Sequence, residues 1–476
     1  MNTKPNWSLD QINQWVKGKI VSSFQTDFNQ VGTDSRQPLT GQVFIALKGD
    51  QFDAHEYLDQ AVTAGAGLLI VDRLESRFEN LKNKVSIVLV DNTLLALQNF
   101  AHEYRRQIPC RMIGITGSNG KTTTKEFAAA ILNEFKTTHF NCGSFNNHWG
   151  VPLTLLSTPP DAAFALIEMG MNHAGEITRL VQIADPDCVV CTMVGKAHIE
   201  FFQSIEKIAE AKREIYLESS EKTVRIFNQD QDLTFDMMYP TAKKFPAGRM
   251  LSFSQKNKDA DVFFKIQKVS QAGLSIYGQI GTVQGLADVP VFGEHNIINL
   301  MAAATISYAV GMPPEKIWLS LNKCQSSWGR NQFIKGKNHI DILFDGYNAN
   351  PDSMNALIKN VSGLKCEGRK IAVLGQMREM GLKSPELHEE LGFLVGSQKL
   401  DKVFFIGENF SDFEAGLKRS KFNNYFVDTD LTSSMKELFL NEIKPHDFIF
   451  IKGSRGIKTE RFVELCEPLN WNKKNC

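Results

Sequence analysis

The segment Thr116-Gly117-Ser118-Asn119-Gly120-Lys121-Thr122, followed by Thr123, places two glycines, a lysine and a row of hydroxyls directly after an apolar run. Glycines at 117 and 120 let the backbone fold closely around an anion, and a helix expected over residues 121–135 turns its free amides and positive dipole end toward it. A triphosphate suits such a cradle. Gly117, Ser118, Asn119 and Gly120 would wrap the phosphates and Lys121 would pair with the β and γ oxygens. The hydroxyl of Thr122 or Thr123 would ligate a magnesium ion bound to them. The pattern is shorter than the usual Walker loop, because Ile115 stands where a glycine is expected. An ordinary strand-turn-helix connection is the plain alternative, but Gly-x-x-Gly-Lys-Thr immediately after a strand favours nucleotide binding.

Two further groups have types suited to phosphoryl transfer. Glu168 closes the apolar run Phe164-Ala165-Leu166-Ile167, where open parallel sheets present ligand groups, so its carboxylate is a candidate for Mg²⁺. His198 follows the run from Cys188 to Val194 in the same way; on spacing alone it reads as a surface histidine. Cys188 and Cys191 share an apolar run, which reads as a buried strand rather than a metal or redox pair.

The elements that must hold these groups form an α/β series. With 476 residues, several domains are expected. Residues 1–108 alternate short apolar runs such as Val43-Phe44-Ile45 with helical patterns, and Ser8 is placed to cap a helix burying Leu9, Ile12, Trp15 and Val16. After the joint Arg105-Arg106-Gln107-Ile108-Pro109, residues 109–325 carry the phosphate loop within strands separated by helices. That implies a doubly wound, mostly parallel sheet. Between about residues 250 and 292 a glycine-punctuated alternation implies a small antiparallel addition, and a helix is expected over 296–310. Residues 326–476 form a third, Rossmann-like α/β series, with strands expected at 340–344, 371–374, 403–406 and 448–451.

Composition narrows the class. The chain is 42% hydrophobic and 22% charged, as globular proteins are, and 53 basic residues balance 53 acidic ones, which removes any general attraction to nucleic acid. No apolar run is long enough for a membrane span, and the first twenty residues lack the apolar centre of a secretory leader. A cytoplasmic monomer with reduced thiols is expected.

Beyond the loop, the chain carries Asn146-Asn147-His148-Trp149-Gly150-Val151-Pro152, Glu168-Met169-Gly170 with Asn172-His173, and Ala197-His198-Ile199-Glu200. It also carries Gly293-Glu294-His295-Asn296 with Asn299. Together with the shortened glycine spacing, these resemble the Mur ligase family, ATP-dependent enzymes that extend the peptide of the bacterial cell-wall precursor on a UDP-linked sugar. Asp345-Gly346-Tyr347-Asn348-Ala349-Asn350-Pro351 resembles the branch that adds a terminal dipeptide. The substrates so implied are UDP-N-acetylmuramoyl-tripeptide, D-alanyl-D-alanine and ATP, with Mg²⁺.

The resemblance also assigns roles. Ser35, Arg36, Lys48, Phe52, Asp53, His55, Asn146 and Asn147 would bind the UDP-sugar substrate. Glu168 and His198 would ligate Mg²⁺, against the spacing-only reading of His198. Lys212 matches the lysine that many members carbamylate, which would make a metal ligand of it; a solvated helix lysine is the plain alternative. Asn299 would touch the adenine, and Arg330 and Asp345 would reach ATP from the third domain or its linker. Lys121, His198 and Lys212 would be the catalytic set. The chain departs from the family in Gly375-Gln376-Met377-Arg378-Glu379-Met380-Gly381, where members usually read Gly-Asp-Met-x-Glu-Leu-Gly. An acid is lost and a base gained, while Glu379 and His388 keep their places. Lys452-Gly453-Ser454-Arg455, after a strand, could bind a carboxylate or phosphate or be a solvated turn. Two rivals stand: a folate polyglutamylating ligase, against which the Asp345 segment argues, and a nucleotide-driven switch that forms no bond.

Overall fold

A computed structural model describes residues 4–49, 51–141, 143–197, 199–469 and 471. The chain forms three α/β units, each around its own sheet. In the first, β1 (Lys19–Ser22), β2 (Val31–Gly32), β3 (Val43–Ile45), β4 (Leu68–Val71) and β5 (Ser86–Leu89) lie in the order β1-β5-β4-β3-β2. Only the β1/β5 pair is antiparallel. Ser8 caps the Leu9–Val16 helix by accepting from Gln11 N, and Leu9, Ile12, Trp15 and Val16 are buried as their spacing implies. Trp7 and Trp15 pack on Phe100 of the Thr93–Gln107 helix. One apolar core continues from there through Leu155 and Ile177 to Val189, so the first unit is anchored on a face of the central sheet.

The central sheet comprises β6 (Arg111–Thr116), β7 (Thr138–Phe140), β8 (Phe164–Glu168), β9 (Cys188–Cys191), β10 (Val224–Asn228), β11 (Met250–Ser254), β12 (Val262–Ser270), β13 (Gly273–Ile280) and β14 (Val283–Val289). Their order is β14-β13-β12-β11-β10-β9-β6-β8-β7, parallel from β7 to β12 and antiparallel beyond. The antiparallel strands thus extend the parallel sheet itself. Ile113, Ile115, Leu166 and Val190 bury the opposite face against the Lys121–Asn133 and Asn296–Ala309 helices. Sheet coverage on both sides explains the nearly unbroken apolar runs. The expected run to Val194 stops as a strand at Cys191, because Thr192 turns its hydroxyl to Thr116 O and Asn119 O. The helix after the loop ends at Asn133, two residues short of expectation.

In the third unit, β15 (Gln332–Lys335), β16 (Asp341–Asp345), β17 (Lys370–Gly375), β18 (Lys402–Ile406), β19 (Tyr425–Asp428) and β20 (Phe448–Lys452) take the order β15-β16-β20-β17-β18-β19. All pairs but β15/β16 are parallel. Among the described residues no helix is long and apolar enough to cross a membrane.

Candidate active site

The carboxyl ends of the adjacent strands β6, β8 and β9 converge on the Thr116–Thr122 loop, as expected for an open parallel sheet. Gly117 has φ +148° and Gly120 φ +82°. A Cβ at Gly117 would fall 2.0 Å from Thr192 Oγ1, and one at Gly120 2.2 Å from Asn299 Oδ1, so conformation and space both require glycine. The loop is fastened from β9's continuation: Thr192 Oγ1 donates to Asn119 O (2.6 Å), Ser118 N to Met193 O (2.8 Å) and Ser118 Oγ to Gly195 O (3.0 Å). Lys121 Nζ curls back over the loop to Gly117 O, 2.7 Å away. Burial lowers the Lys121 pKa; Glu168 opposes this and Arg330 adds to it.

Glu168, only 1% exposed, stands beside the loop. Its Oε2 accepts from Thr122 Oγ1 (2.8 Å) and its Oε1 from Asn146 Nδ2 (2.8 Å), while Lys125 Nζ lies 4.0 Å from Oε2. Ser144 Oγ is 3.2 Å from Thr122 Oγ1. A buried carboxylate and two hydroxyls make a hard-oxygen donor set, so the site fits Mg²⁺. Lys212 is buried on the Ile205–Leu217 helix, and burial together with the Lys121 cation brings its pKa down to about 7. An amine that loses its proton near neutrality is competent to be carbamylated. His198 lies outside the described residues.

The third unit completes the site. Arg330 Nη2 donates to Thr122 Oγ1 (2.9 Å) and its guanidinium lies over the Tyr347 ring, 4.4 Å from the centroid. Tyr347 OH donates to Ser144 Oγ (2.9 Å). Asn119 and Asn350 join through their amides, Asn350 Nδ2 reaching Asn119 Oδ1 at 2.8 Å. Asp345 Oδ1 accepts from Asn331 N (3.1 Å), and Oδ2 is ion-paired with buried Lys452. Lys452 also donates to Asn348 O (2.9 Å), so it is buried rather than part of a solvated turn, and it binds the Asp345 carboxylate at the wall of the cavity beside the loop. Thr123, Asn299, Arg330 and Asp345 line one cavity of about 240 Å³ with the loop. Asn299 is set there by Thr124 Oγ1 (3.2 Å) and Asn296 Oδ1 (2.9 Å).

Beyond Lys121 opens a cavity of about 700 Å³, walled by Asn146, Asn147, Arg179 and Glu379 among others. Farther out, two adjoining hollows of about 600 and 410 Å³ share Phe52 and Trp149. Ser35 and Arg36 line the larger and Lys48 the smaller. Phe52 and Trp149 are half-exposed, and Phe52 stacks on Tyr57 with centroids 5.1 Å apart. Asp53 and His55, expected to bind the UDP-sugar substrate, bond to each other, with His55 buried and a fifth of the Asp53 side chain exposed. His55 is buried, its Nδ1 2.7 Å from Asp53 Oδ1 and its Nε2 accepting from Asp72 N (3.2 Å). Burial works against the Asp53 carboxylate, yet Arg73 and His55 hold its pKa down at about 2. These two residues shape the loop that carries Lys48 and Phe52.

Two family models match the chain: the Mur ligase middle domain over residues 115–307 and the Mur ligase glutamate ligase domain over residues 329–455. The chain is 34% identical to the UDP-N-acetylmuramoyl-tripeptide–D-alanyl-D-alanine ligase of Bacillus subtilis, covering 96% of this chain and 97% of that one. The chain belongs to the Mur ligase family. Its fold matches a crystal structure of MurF from Acinetobacter baumannii with a TM-score of 0.86 at 29% identity, over 97% of this chain and 98% of that one. It also matches MurF ligase from Thermotoga maritima in complex with ADP, with a TM-score of 0.77 at 26% identity, covering 92% and 96%.

In this Mur ligase several site residues escape a reading of motifs alone. Ser144 and Tyr347 link the units, and Arg179 lines the large cavity. Buried Lys125 holds the loop opposite Glu168 through Asn141 O and Gly143 O (2.7 and 2.8 Å). The signal for Lys125 was its position: one helical turn after Lys121, it faces the same side, where a surface lysine would not.

Proposed function

We propose that the chain is the ATP-dependent ligase that joins D-alanyl-D-alanine to UDP-N-acetylmuramoyl-tripeptide, releasing ADP and phosphate, in bacterial peptidoglycan precursor synthesis. The observation that carries the reading is spatial continuity. Lys121 lines both the 240 Å³ cavity shared with Arg330 and Asp345 and the 700 Å³ cavity, which in turn shares His148 with the hollow lined by Lys48 and Phe52 of the first unit. One cavity suits a nucleoside triphosphate and the other the peptide end of a long nucleotide-linked donor.

The chemistry follows from the groups present. A carboxylate does not condense with an amine in water, because oxide is a poor leaving group and the anion repels nucleophiles. The donor's terminal carboxylate therefore attacks the γ-phosphorus of ATP, ADP leaves, and an acyl phosphate forms. Lys121, released from Gly117 O, and Arg330, above Thr122, neutralise the charge that otherwise keeps two anions apart. Thr122, Glu168, His198 and, as its carbamate, Lys212 would hold Mg²⁺, which supplies further charge neutralisation at the phosphates. The acceptor amine then attacks the acyl carbonyl, the C–N bond forms and phosphate departs. The bonds between Asn119 and Asn350 and between Tyr347 and Ser144 hold the third unit over the loop and exclude water meanwhile.

At the far end, Ser35, Arg36, Lys48, Phe52 and Trp149 receive the UDP-sugar, the aromatic rings offering a stacking surface to a base. Asn146 and Asn147 lie along the donor's path, and Asn299 meets the adenine. We place domain boundaries near residues 108 and 325, and read the enzyme as a cytoplasmic monomer whose described cysteines are free thiols. Phosphate release measured with UDP-N-acetylmuramoyl-tripeptide and ATP, with and without D-alanyl-D-alanine, tests the reading. Release that requires both substrates supports it; turnover indifferent to the amine points to a nucleotide switch and sinks it.

A further inference from the structure

Phe292 and His295 belong to the central unit by sequence, yet the third unit receives their side chains. Phe292 is buried in the third unit's core, edge-on to Phe333 of β15 with ring centroids 5.0 Å apart. Gly293 follows at φ +94°, and a Cβ there would fall 2.5 Å from the His295 ring, so the ring's approach requires glycine. That ring sits between two amides of the third unit. Its Nε2 lies 3.1 Å from the side-chain amide of Asn331, and its Nδ1 lies 3.0 Å from that of Asn360 on the Pro351–Ser362 helix. Burial lowers the ring's pKa, so at pH 7 one nitrogen donates and the other accepts. An amide offers either role, and two asparagines satisfy the ring whichever nitrogen carries the proton.

The Asn331 contact bears on the residue before it. Arg330 stands between two left-handed residues, Gly329 at φ +67° and Asn331 at φ +50°. Within the third unit, Tyr347 N donates to Gly329 O (3.0 Å) and Asn331 N to Asp345 Oδ1 (3.1 Å), which hold this turn to its own sheet. His295 holds it from the central unit, where Thr122, the partner of Arg330, resides. Asn331 is buried, and among the described residues its side chain has His295 as its sole hydrogen-bond partner. His295 also directly precedes the Asn296–Ala309 helix, whose Asn299 accepts from Thr124 Oγ1 (3.2 Å) and crowds Gly120. One helix start therefore braces both the phosphate loop and the turn that carries Arg330.

We infer that His295 is a positioning residue for Arg330: through Asn331 it fixes the turn of the guanidinium against the central unit, so that the fork meets the charge developing beside Thr122. The inference rests on the ligase reading above, in which Arg330 neutralises that charge, and adds to it a residue that acts through another. His295 also lines the 240 Å³ cavity, so direct contact with the nucleotide is the rival role that the experiment must separate.

An asparagine side chain reproduces the Nδ1 edge of histidine and a glutamine the Nε2 edge. His295→Asn therefore keeps a partner for Asn360 and loses Asn331, and His295→Gln does the reverse. Steady-state phosphate release by the full chain, with ATP, the UDP-linked tripeptide and D-alanyl-D-alanine each varied in turn, compares them. In His295→Asn kcat should fall about tenfold or more, since a misplacement of about 1 Å can cost about 100-fold, while His295→Gln keeps most of it. The KM for ATP should stay within about twofold of wild type in both, less than one hydrogen bond's worth. Asn331→Gly, which suits the left-handed backbone and removes the amide, should repeat the loss seen in His295→Asn. In an Arg330→Lys background His295→Asn should change kcat by less than about twofold, because the group it positions is already gone. A general structural role would lower kcat alike in both backgrounds. An equal loss in the two backgrounds, an unchanged kcat in both His295→Asn and Asn331→Gly, or a rise in the KM for ATP with kcat unchanged overturns the assignment while leaving the ligase reading in place. Wild-type turnover indifferent to the amine sinks the ligase reading, and the comparison of backgrounds still decides the role of His295.

Discussion

Arg330 and Thr122, 208 residues apart, meet through a 2.9 Å hydrogen bond from guanidinium to hydroxyl. Thr122 simultaneously donates to Glu168, so a side chain from the third unit is one bond away from the buried carboxylate of the central unit that we propose ligates Mg²⁺. The contact between the units and the proposed metal site share that chain of hydrogen bonds. With Tyr347 beneath the guanidinium, the fork is oriented before substrate arrives.

Arg330→Lys should therefore behave as a severe substitution. A lysine keeps the charge but loses both the planar fork and the stacking on Tyr347. We expect kcat to fall about 100-fold or more, the usual cost of removing one preorganised donor from developing charge, with the melting temperature nearly unchanged. Stopped-time ADP release and a thermal melt check the two halves; near-normal kcat would remove Arg330 from the chemistry.

Glu168→Gln tests the metal site. The amide keeps the size of the side chain but removes the anionic oxygen, and Thr122 and Asn146 both lose a charged acceptor. The Mg²⁺ concentration for half-maximal activity should rise about 10- to 100-fold. A magnesium titration of phosphate release reads it directly, and an unshifted midpoint would place the metal elsewhere.

Lys212 has a pKa lowered to about 7 in the folded protein against 10.5 for an ordinary lysine. Below pH 7 both folded and unfolded states carry the charge, and the burial penalty is fully felt. Between pH 7 and 10.5 the folded state has shed its proton while the unfolded state still holds it, so stability rises with pH across that window. Lys212→Met should be the more stable protein at pH 6, by an amount on the order of 5 kcal/mol at most, with the advantage shrinking toward pH 10. Urea denaturation in carbonate-free buffer measures this. The same variant should lose activity, and wild-type activity should fall in CO₂-depleted buffer and recover with bicarbonate.

His388 is fully buried, its Nδ1–H donating to Ser384 O (2.7 Å) and its Nε2 accepting from Met377 N (2.9 Å). A second ring proton would point at a donor. Burial lowers its pKa, and the bond to Ser384 O only partly offsets that. As pH falls through 6.5 the unfolded chain takes up a proton that the folded one refuses, so this contribution to stability is present above 6.5 and lost below it. His388→Ala should cost about 1–3 kcal/mol at pH 8, from an orphaned Met377 N–H, and flatten the acid side of the stability curve.

Much of the site was legible in the chain because local rules govern it. Gly117 and Gly120 announce a backbone that a Cβ would obstruct, and Lys121 follows at the first residue of the helix, from which its side chain curls over that loop. Glu168 was placed at a strand end by the length of its apolar run. The runs themselves marked the parallel strands, since a strand covered on both faces needs apolar residues on both. Boundaries were less well marked: β9 ends at Cys191 because of the bonds Thr192 makes to a loop more than seventy residues earlier. The pairing of Asp53 with His55 likewise depends on Arg73 and Asp72, which nothing in the spacing connects to them.

By itself, then, the sequence determined the kind of chemistry, a phosphate-gripping loop with oxygen ligands on an α/β scaffold, because those features are set by conformation and charge within a few residues. Only the tertiary structure decided which distant groups meet there. Arg330 over Thr122, Asn350 against Asn119 and Glu379 at the 700 Å³ cavity all depend on how the third unit closes on the central sheet. That closure comes from contacts spread across hundreds of residues, and no local pattern records them.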